Sequence, residues 1–251
     1  MIWWHAIVIV VAGFWAGTIN TVVGSGTLVT FPTLLALGYP PVTATTSNPI
    51  GLAPGSVTGA IGYRHELRGL RSRLLRYATA SALGAGCGTV LLLGLPRDAF
   101  ATVVPFLIVL ALVLVLVQPK VSRWVANRNP DSAAGGGALL LFFVFLIGVY
   151  GGYFSAAQGV LLMGVLGILL AEPLQRLNGI KNVLASTVNV LAGTVYAFVA
   201  PVDWAVIGLL ALGAIAGGMV GAKIGRKLPP TVLRGVIIII GAAAVVGMLL
   251  R

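Results

Sequence analysis

The sequence is short of charge, acid and cysteine. Only 8% of its 251 residues are charged, against 59% that are hydrophobic. Globular domains carry roughly 25% charged residues, so a soluble chain with this composition could not cover its own surface. The acids are Glu66, Asp98, Asp131, Glu172 and Asp203, each near the end of an apolar segment or in a loop. No carboxylate lies mid-segment, which argues against the proton relays and cation cages of ion pumps. The histidines, His5 and His65, also lie near segment ends, and Cys87 is the single cysteine. An intrachain disulfide is excluded, and no His/Cys/Asp cluster has metal-ligand spacing. No serine–histidine–acid set suggests hydrolysis. The chain therefore reads as a non-enzyme without a cofactor or metal.

What it has in abundance is long apolar sequence. Segments at roughly 3–23, 26–38, 42–63, 75–95, 99–118, 138–156, 158–171, 176–199, 204–223 and 233–250 recur from end to end. Most approach the ~20 residues that cross a hydrocarbon core about 30 Å thick. They lack period-2 alternation, so they read as helices and not as barrel strands. The expected fold class is all-α, a polytopic helical membrane protein. The segments 26–38 and 158–171 are short for a span, and whether they cross or re-enter is left open. The opening run MIWWHAIVIVVAGFWAG has no basic region and no small-residue cleavage site, so it reads as a retained first helix.

The net charge of +11 invites a nucleic-acid reading, which the charge positions argue against. Arg64, Arg68, Arg71, Arg73 and Arg76 form one cluster; Lys120, Arg123 and Arg128 a second; Lys223, Arg226, Lys227 and Arg234 a third. All lie between apolar spans, where the positive-inside rule places cytoplasmic loops, and no aromatic–basic module accompanies them.

The chain divides into 1–118, a linker at 119–137 holding NRNPDSAAGGG, and 138–251. The two halves resemble each other. Gly13, Gly17 and Gly24 match Gly148, Gly152 and Gly159; further on, Tyr63, Gly84, Gly88, Leu95 and Pro96 match Tyr196, Gly217, Gly221, Leu228 and Pro229. The loop at 64–76 is rich in arginine where its counterpart near 197–209 carries only Asp203, while the neutral loop at 96–98 corresponds to a basic one at 223–234. Opposite charge on matching loops implies opposite sides, an inverted-topology repeat of about five segments per half. Both termini are then expected outside, across a cytoplasmic membrane.

Two segments are unusually polar. VTATTSNPIGLAPGS at 42–56 holds Ser47, Asn48, Pro49 and Pro54 inside an apolar span. Irregular backbone at membrane depth survives only where protein or a wet cavity satisfies it. Just upstream, Gly24, Ser25 and Gly26 would start a short helix whose free N–H groups and positive dipole end face an anion, with Asn20 and Thr21 nearby. Tight helix packing explains such glycines equally well. In LNGIKNVLASTVNVL at 177–191, Asn178, Lys181, Asn182, Ser186 and Asn189 fall within one arc of about 140°. Such a stripe faces a bundle interior or a pathway. Both polar segments are expected to be broken or kinked and to meet near mid-membrane. For Lys181 two readings stay open, a place in an anion site or snorkelling to the cytoplasmic interface.

GTINTVVGSGTLVTFPTLLALGYPPVTATTSNPIG in the first half, with NGIKNVLASTVNVLAGTVYAF and a glycine-rich span ending GAKIGRKLP in the second, resembles the sulfite exporter TauE/SafE family of membrane transporters. The likeness covers nearly the whole chain. It implies a permease for sulfite, sulfoacetate, other organosulfonates or thiosulfate. The site expected from both readings comprises Asn20, Thr21, Gly24, Ser25, Gly26, Ser47, Asn48, Ser155, Gln158, Gly159, Asn178, Lys181, Asn182 and Asn189. The partners expected are a small anionic substrate and the lipid bilayer, with a homodimer left open and no nucleic acid. The leading expectation is export by a secondary transporter or uniporter. Import of the same anions and a non-transporting scaffold are the alternatives.

Overall fold

The computed structural model describes residues 3–127 and 137–223, together with the isolated positions 235 and 239. The linker core at 128–136, the last expected segment at 233–250 apart from those two positions, and the repeat matches Leu228 and Pro229 lie outside the described residues. Among the described residues the chain is all helix: α1 (Trp3–Val22), α2 (Thr27–Ala36), α3 (Pro41–Gly62), α4 (Arg71–Gly94), α5 (Arg97–Asn127), α6 (Ala138–Tyr153), α7 (Gln158–Leu169), α8 (Leu174–Val199) and α9 (Trp204–Lys223). Among the described residues five stretches are long and apolar enough to cross a membrane: Trp3–Val22, Arg71–Gly94, Thr102–Val125, Leu174–Val199 and Trp204–Lys223. The protein is a multi-pass helical membrane protein.

Glycine seams join the helices. Gly213, Gly217 and Gly221 of α9 lie against Val10, Phe14 and Thr18 of α1, so these helices run parallel with their backbones in contact. Gly84 and Gly88 of α4 meet Phe145 and Val149 of α6 in the same way. Gly51 and Gly55 of α3 meet Leu210 and Ala214 of α9, again parallel. The α3–α8 pair runs antiparallel: Tyr63 is beside Gly179, Ser56 bonds to Asn189, and Ile50 is beside Gly193. Ser81 of α4 donates to the Leu184 carbonyl of α8, and Gly86 lies beside Leu191, so α4 and α8 are parallel. Hence α1, α3 and α9 point one way, and α4, α6 and α8 the other.

This arrangement gathers cations at one end of the bundle. Arg64 and Arg68 follow α3, Arg71, Arg73 and Arg76 open α4, Arg176 opens α8, and Lys223 closes α9. The opposite end carries Trp3, Pro201 and Asp203.

Three expectations need correction. Pro49 and Pro54 do not break their segment; both sit inside the continuous α3. Proline is tolerated in a membrane helix that is packed among others, and α3 lies against α8 and α9 at these positions, with Ile50 beside Gly193 and Gly55 beside Ala214. The second polar segment is likewise unbroken within α8. Thirdly, Arg71, Arg73 and Arg76 are on α4 and not in a loop, because its first turns extend beyond the apolar stretch.

The breaks lie at 23–26, over the expected glycines, and at 154–157, just before Gly159. The short segments α2 and α7 have 10 and 12 residues, or about 15 and 18 Å at 1.5 Å per residue. Neither can cross a bilayer. Gly26 packs against Ala16 and Asn20, so α2 doubles back along α1.

Candidate functional site: a junction of two helix breaks

The two breaks meet each other. The Gly159 N–H donates to the Gly24 carbonyl over 2.9 Å, and a Cβ on either glycine would collide with the other's Cα. Gly24 has φ +89°, which glycine alone adopts without strain. At the other break Ser155 and Ala157 hold φ of 60° and 58° although neither is glycine. Left-handed backbone costs a non-glycine residue roughly 1–2 kcal/mol, and such strain clusters at functional sites. It is held by the Tyr150 hydroxyl on the Ala156 carbonyl and the Tyr196 hydroxyl on the Gly152 carbonyl, each at 2.6 Å.

Around this contact lie three groups of hydrogen-bonded polar side chains. Thr27 and Ser155 share a hydrogen bond of 2.8 Å across the two breaks. Asn48 donates to Thr27 at 3.0 Å and accepts a short hydrogen bond from Thr30. Ser56 accepts from both Asn20, at 3.0 Å, and Asn189, at 2.7 Å. Asn182 donates to the Thr21 carbonyl at 3.1 Å. The ammonium of Lys181 reaches the carbonyls of Thr21 at 3.2 Å and Val22 at 3.3 Å.

Lys181 is completely buried. The side chain ends on the last carbonyls of α1, enclosed by protein. That is the negative end of the α1 dipole. Among the described residues no carboxylate pairs with this lysine, whose amine meets only the partial charges of backbone carbonyls.

Several donors at the first break are unclaimed. Among the described residues nothing accepts from the N–H groups of Ser25, Gly26 and Thr27. The Ser25 hydroxyl and the Gln158 amide nitrogen are buried without a partner. Consecutive free N–H groups at a helix start form an anion-binding concavity.

The breaks thus bring together Asn20, Thr21, Gly24, Ser25, Gly26, Asn48, Ser155, Gln158, Gly159, Lys181, Asn182 and Asn189. Two expected members stand apart. Ser47 accepts the Asp203 backbone N–H at 3.0 Å, tying α3 to the turn before α9. Asn178 is half-buried one turn before Asn182 and makes none of these bonds. Thr27, Thr30, Ser56, Tyr150 and Tyr196 are additional participants that sequence reasoning did not single out. The run TLVT directly after the glycines was the available signal for the first two.

The model for the family described as "Sulfite exporter TauE/SafE" matches residues 9–248. A "probable membrane transporter protein ORF9" of Sinorhizobium is 26% identical over 95% of this chain and 90% of its own length. A probable membrane transporter protein of Haemophilus influenzae is 26% identical over 90% of this chain and 88% of its own. The probable membrane transporter protein YfcA of Escherichia coli K12 is 24% identical over 90% and 83%. No solved structure is significantly similar to the chain. Opposed helix breaks inside an apolar bundle and a family match over nearly its whole length lead to one conclusion: the chain is a member of the sulfite exporter TauE/SafE family of membrane transporters.

Proposed function

We propose that this transporter carries a small sulfur-containing oxyanion, sulfite or an organosulfonate such as sulfoacetate, out of the cell, binding it at the junction of the two breaks. The observation that carries this reading is the set of buried donors without acceptors: the N–H groups of Ser25, Gly26 and Thr27, the Ser25 hydroxyl and the Gln158 amide. Unpartnered buried donors each cost about 1–3 kcal/mol, a cost an oxyanion relieves. Lys181, a buried cation with no acid beside it, supplies charge for the same ligand.

The opposed helix directions support an inverted repeat, with the junction as the point about which access alternates. The cation-rich end faces the cytoplasm by the positive-inside rule, which puts the start of α1 outside. Membrane potential then favours export. At about 100 mV each negative charge gains about 2.3 kcal/mol on leaving, so a dianion needs no protonatable carboxylate in the protein.

The test is flux from proteoliposomes with an imposed potential, together with thermal shift against sulfite, thiosulfate, sulfoacetate, sulfate, taurine and carboxylates. Stabilisation and electrogenic flux with sulfite or sulfoacetate are expected. Equal response to carboxylates, or no flux of any sulfur oxyanion, overturns the reading.

A further inference from the structure

A second basic site lies at the cation-rich end, away from the junction. A cavity of about 380 Å³ opens between the start of α4, the start of α6 and the end of α7. Its rim carries Arg73, Arg76 and Glu172, and its floor Tyr77, Leu141 and Leu169.

The charge there is unbalanced. Glu172 sits 2.9 Å from Arg176 and 3.6 Å from Arg73. Arg176 is a clamp: its remaining nitrogens donate to the Glu66 and Arg68 carbonyls, each at 3.0 Å, tying the second half to the turn after α3. With the one carboxylate answered by Arg176, Arg73 keeps a side chain 63% exposed. Arg76 is exposed and makes no ion pair among the described residues. Arg73, Arg76 and Arg176 thus have one carboxylate, Glu172, among them, which leaves an excess of positive charge at the cavity.

The shape narrows the ligand. Tyr77 is six residues into α4, about 9 Å from its start, and Tyr77, Leu141 and Leu169 turn apolar atoms inward. A free inorganic anion uses the arginines and leaves this floor bare. A phospholipid uses both, its phosphate on the guanidiniums and its glycerol and first methylenes on the floor. Basic pockets between membrane helices on the cytoplasmic side hold anionic head groups, and Arg matches phosphate with a planar fork.

We propose that this cavity is a binding site for an anionic phospholipid, held through its phosphate by Arg73 and Arg76. The proposal is independent of the junction and its substrate. The experiment is native mass spectrometry of the delipidated full chain titrated with phosphatidylglycerol, phosphatidylcholine or inorganic phosphate. A retained phosphatidylglycerol, preferred over phosphatidylcholine, is expected, with inorganic phosphate failing to displace it. Arg76→Gln is exposed and bonds to nothing described, so it folds as the parent does; it loses roughly fivefold in affinity, and Arg73→Gln/Arg76→Gln roughly 25-fold. Leu141→Trp, which fills the floor, weakens the lipid without changing charge. Arg64→Gln/Arg123→Gln removes equal charge elsewhere and leaves retention intact. The proposal is overturned if that control loses as much lipid as the pocket variant, if phosphatidylcholine binds equally, or if inorganic phosphate competes.

Discussion

The ammonium of Lys181 lies 3.2 Å from the carbonyl oxygen of Thr21, so a cation at the second turn of α8 caps the end of α1. With Asn182 on the same carbonyl and Gly159 on Gly24, it joins the second half to the break of the first. Lys181→Met keeps length and removes both charge and donor. The Thr21 carbonyl keeps Asn182, but the Val22 carbonyl loses its side-chain donor, a loss of about 1–3 kcal/mol, so a lower melting temperature is expected. A merely structural cap predicts that alone. The anion-site reading also predicts at least a tenfold weaker apparent affinity for sulfite, partly restored in Lys181→Arg. Normal affinity in a folded Lys181→Met protein removes the residue from the site.

Gly24 and Gly159 are each other's steric limit. Gly24→Ala adds left-handed strain of roughly 1–2 kcal/mol to the overpacking cost of about 1–3 kcal/mol. Gly159→Ala, in helical backbone, adds only the second. Both variants are expected to insert and to lose flux, Gly24→Ala more severely. Gly208→Ala is the control, because nothing lies within 4 Å of an added Cβ; its flux and melting temperature stay within error of the parent.

Fold class was legible because lipid leaves few options: a chain with 8% charge and recurrent apolar runs must satisfy its backbone in helices. The glycine breaks at 24–26 were legible for the same reason that Gly24 is left-handed. The matching break was only half legible. FSAAQ offers no glycine where Ser155 and Ala157 take positive φ, and the tyrosines that hold them come from α6 and α8. Pro49 and Pro54 misled, since a proline's effect on a membrane helix depends on neighbours the sequence does not place. The partner of Lys181 was hidden too, because α1 is far from it along the chain.

Ser56 accepts from Asn20 and Asn189 at once, a node linking α1, α3 and α8. Interhelical hydrogen bonds of this kind average about 0.6 kcal/mol and reach about 1.7. A double-mutant cycle of Ser56→Ala with Asn189→Ala, read by unfolding in detergent, is expected to give a coupling within that range. Ser47→Ala with Asn189→Ala should be additive, because Ser47 bonds to the α9 turn instead. Coupling near zero for the first pair would mean that the node does not persist in solution.

The last prediction concerns sidedness. Arg68 sits in the exposed turn after α3, among the cations, and Pro201 precedes α9 at the far end with Asp203. The sequence reading pairs these two loops, of opposite charge, as counterparts in the two halves. Replacing exposed Cys87 by alanine clears the background, and Arg68→Cys and Pro201→Cys then each carry one thiol. In intact cells an impermeant maleimide is expected to label the second and not the first, with permeabilisation exposing the first. The helix directions require the two to face opposite sides whichever side is cytoplasmic. Labelling of both from the same side would contradict the inverted arrangement itself, while labelling of Arg68→Cys alone would keep the arrangement and reverse its sidedness, and with it the export direction inferred from the basic end.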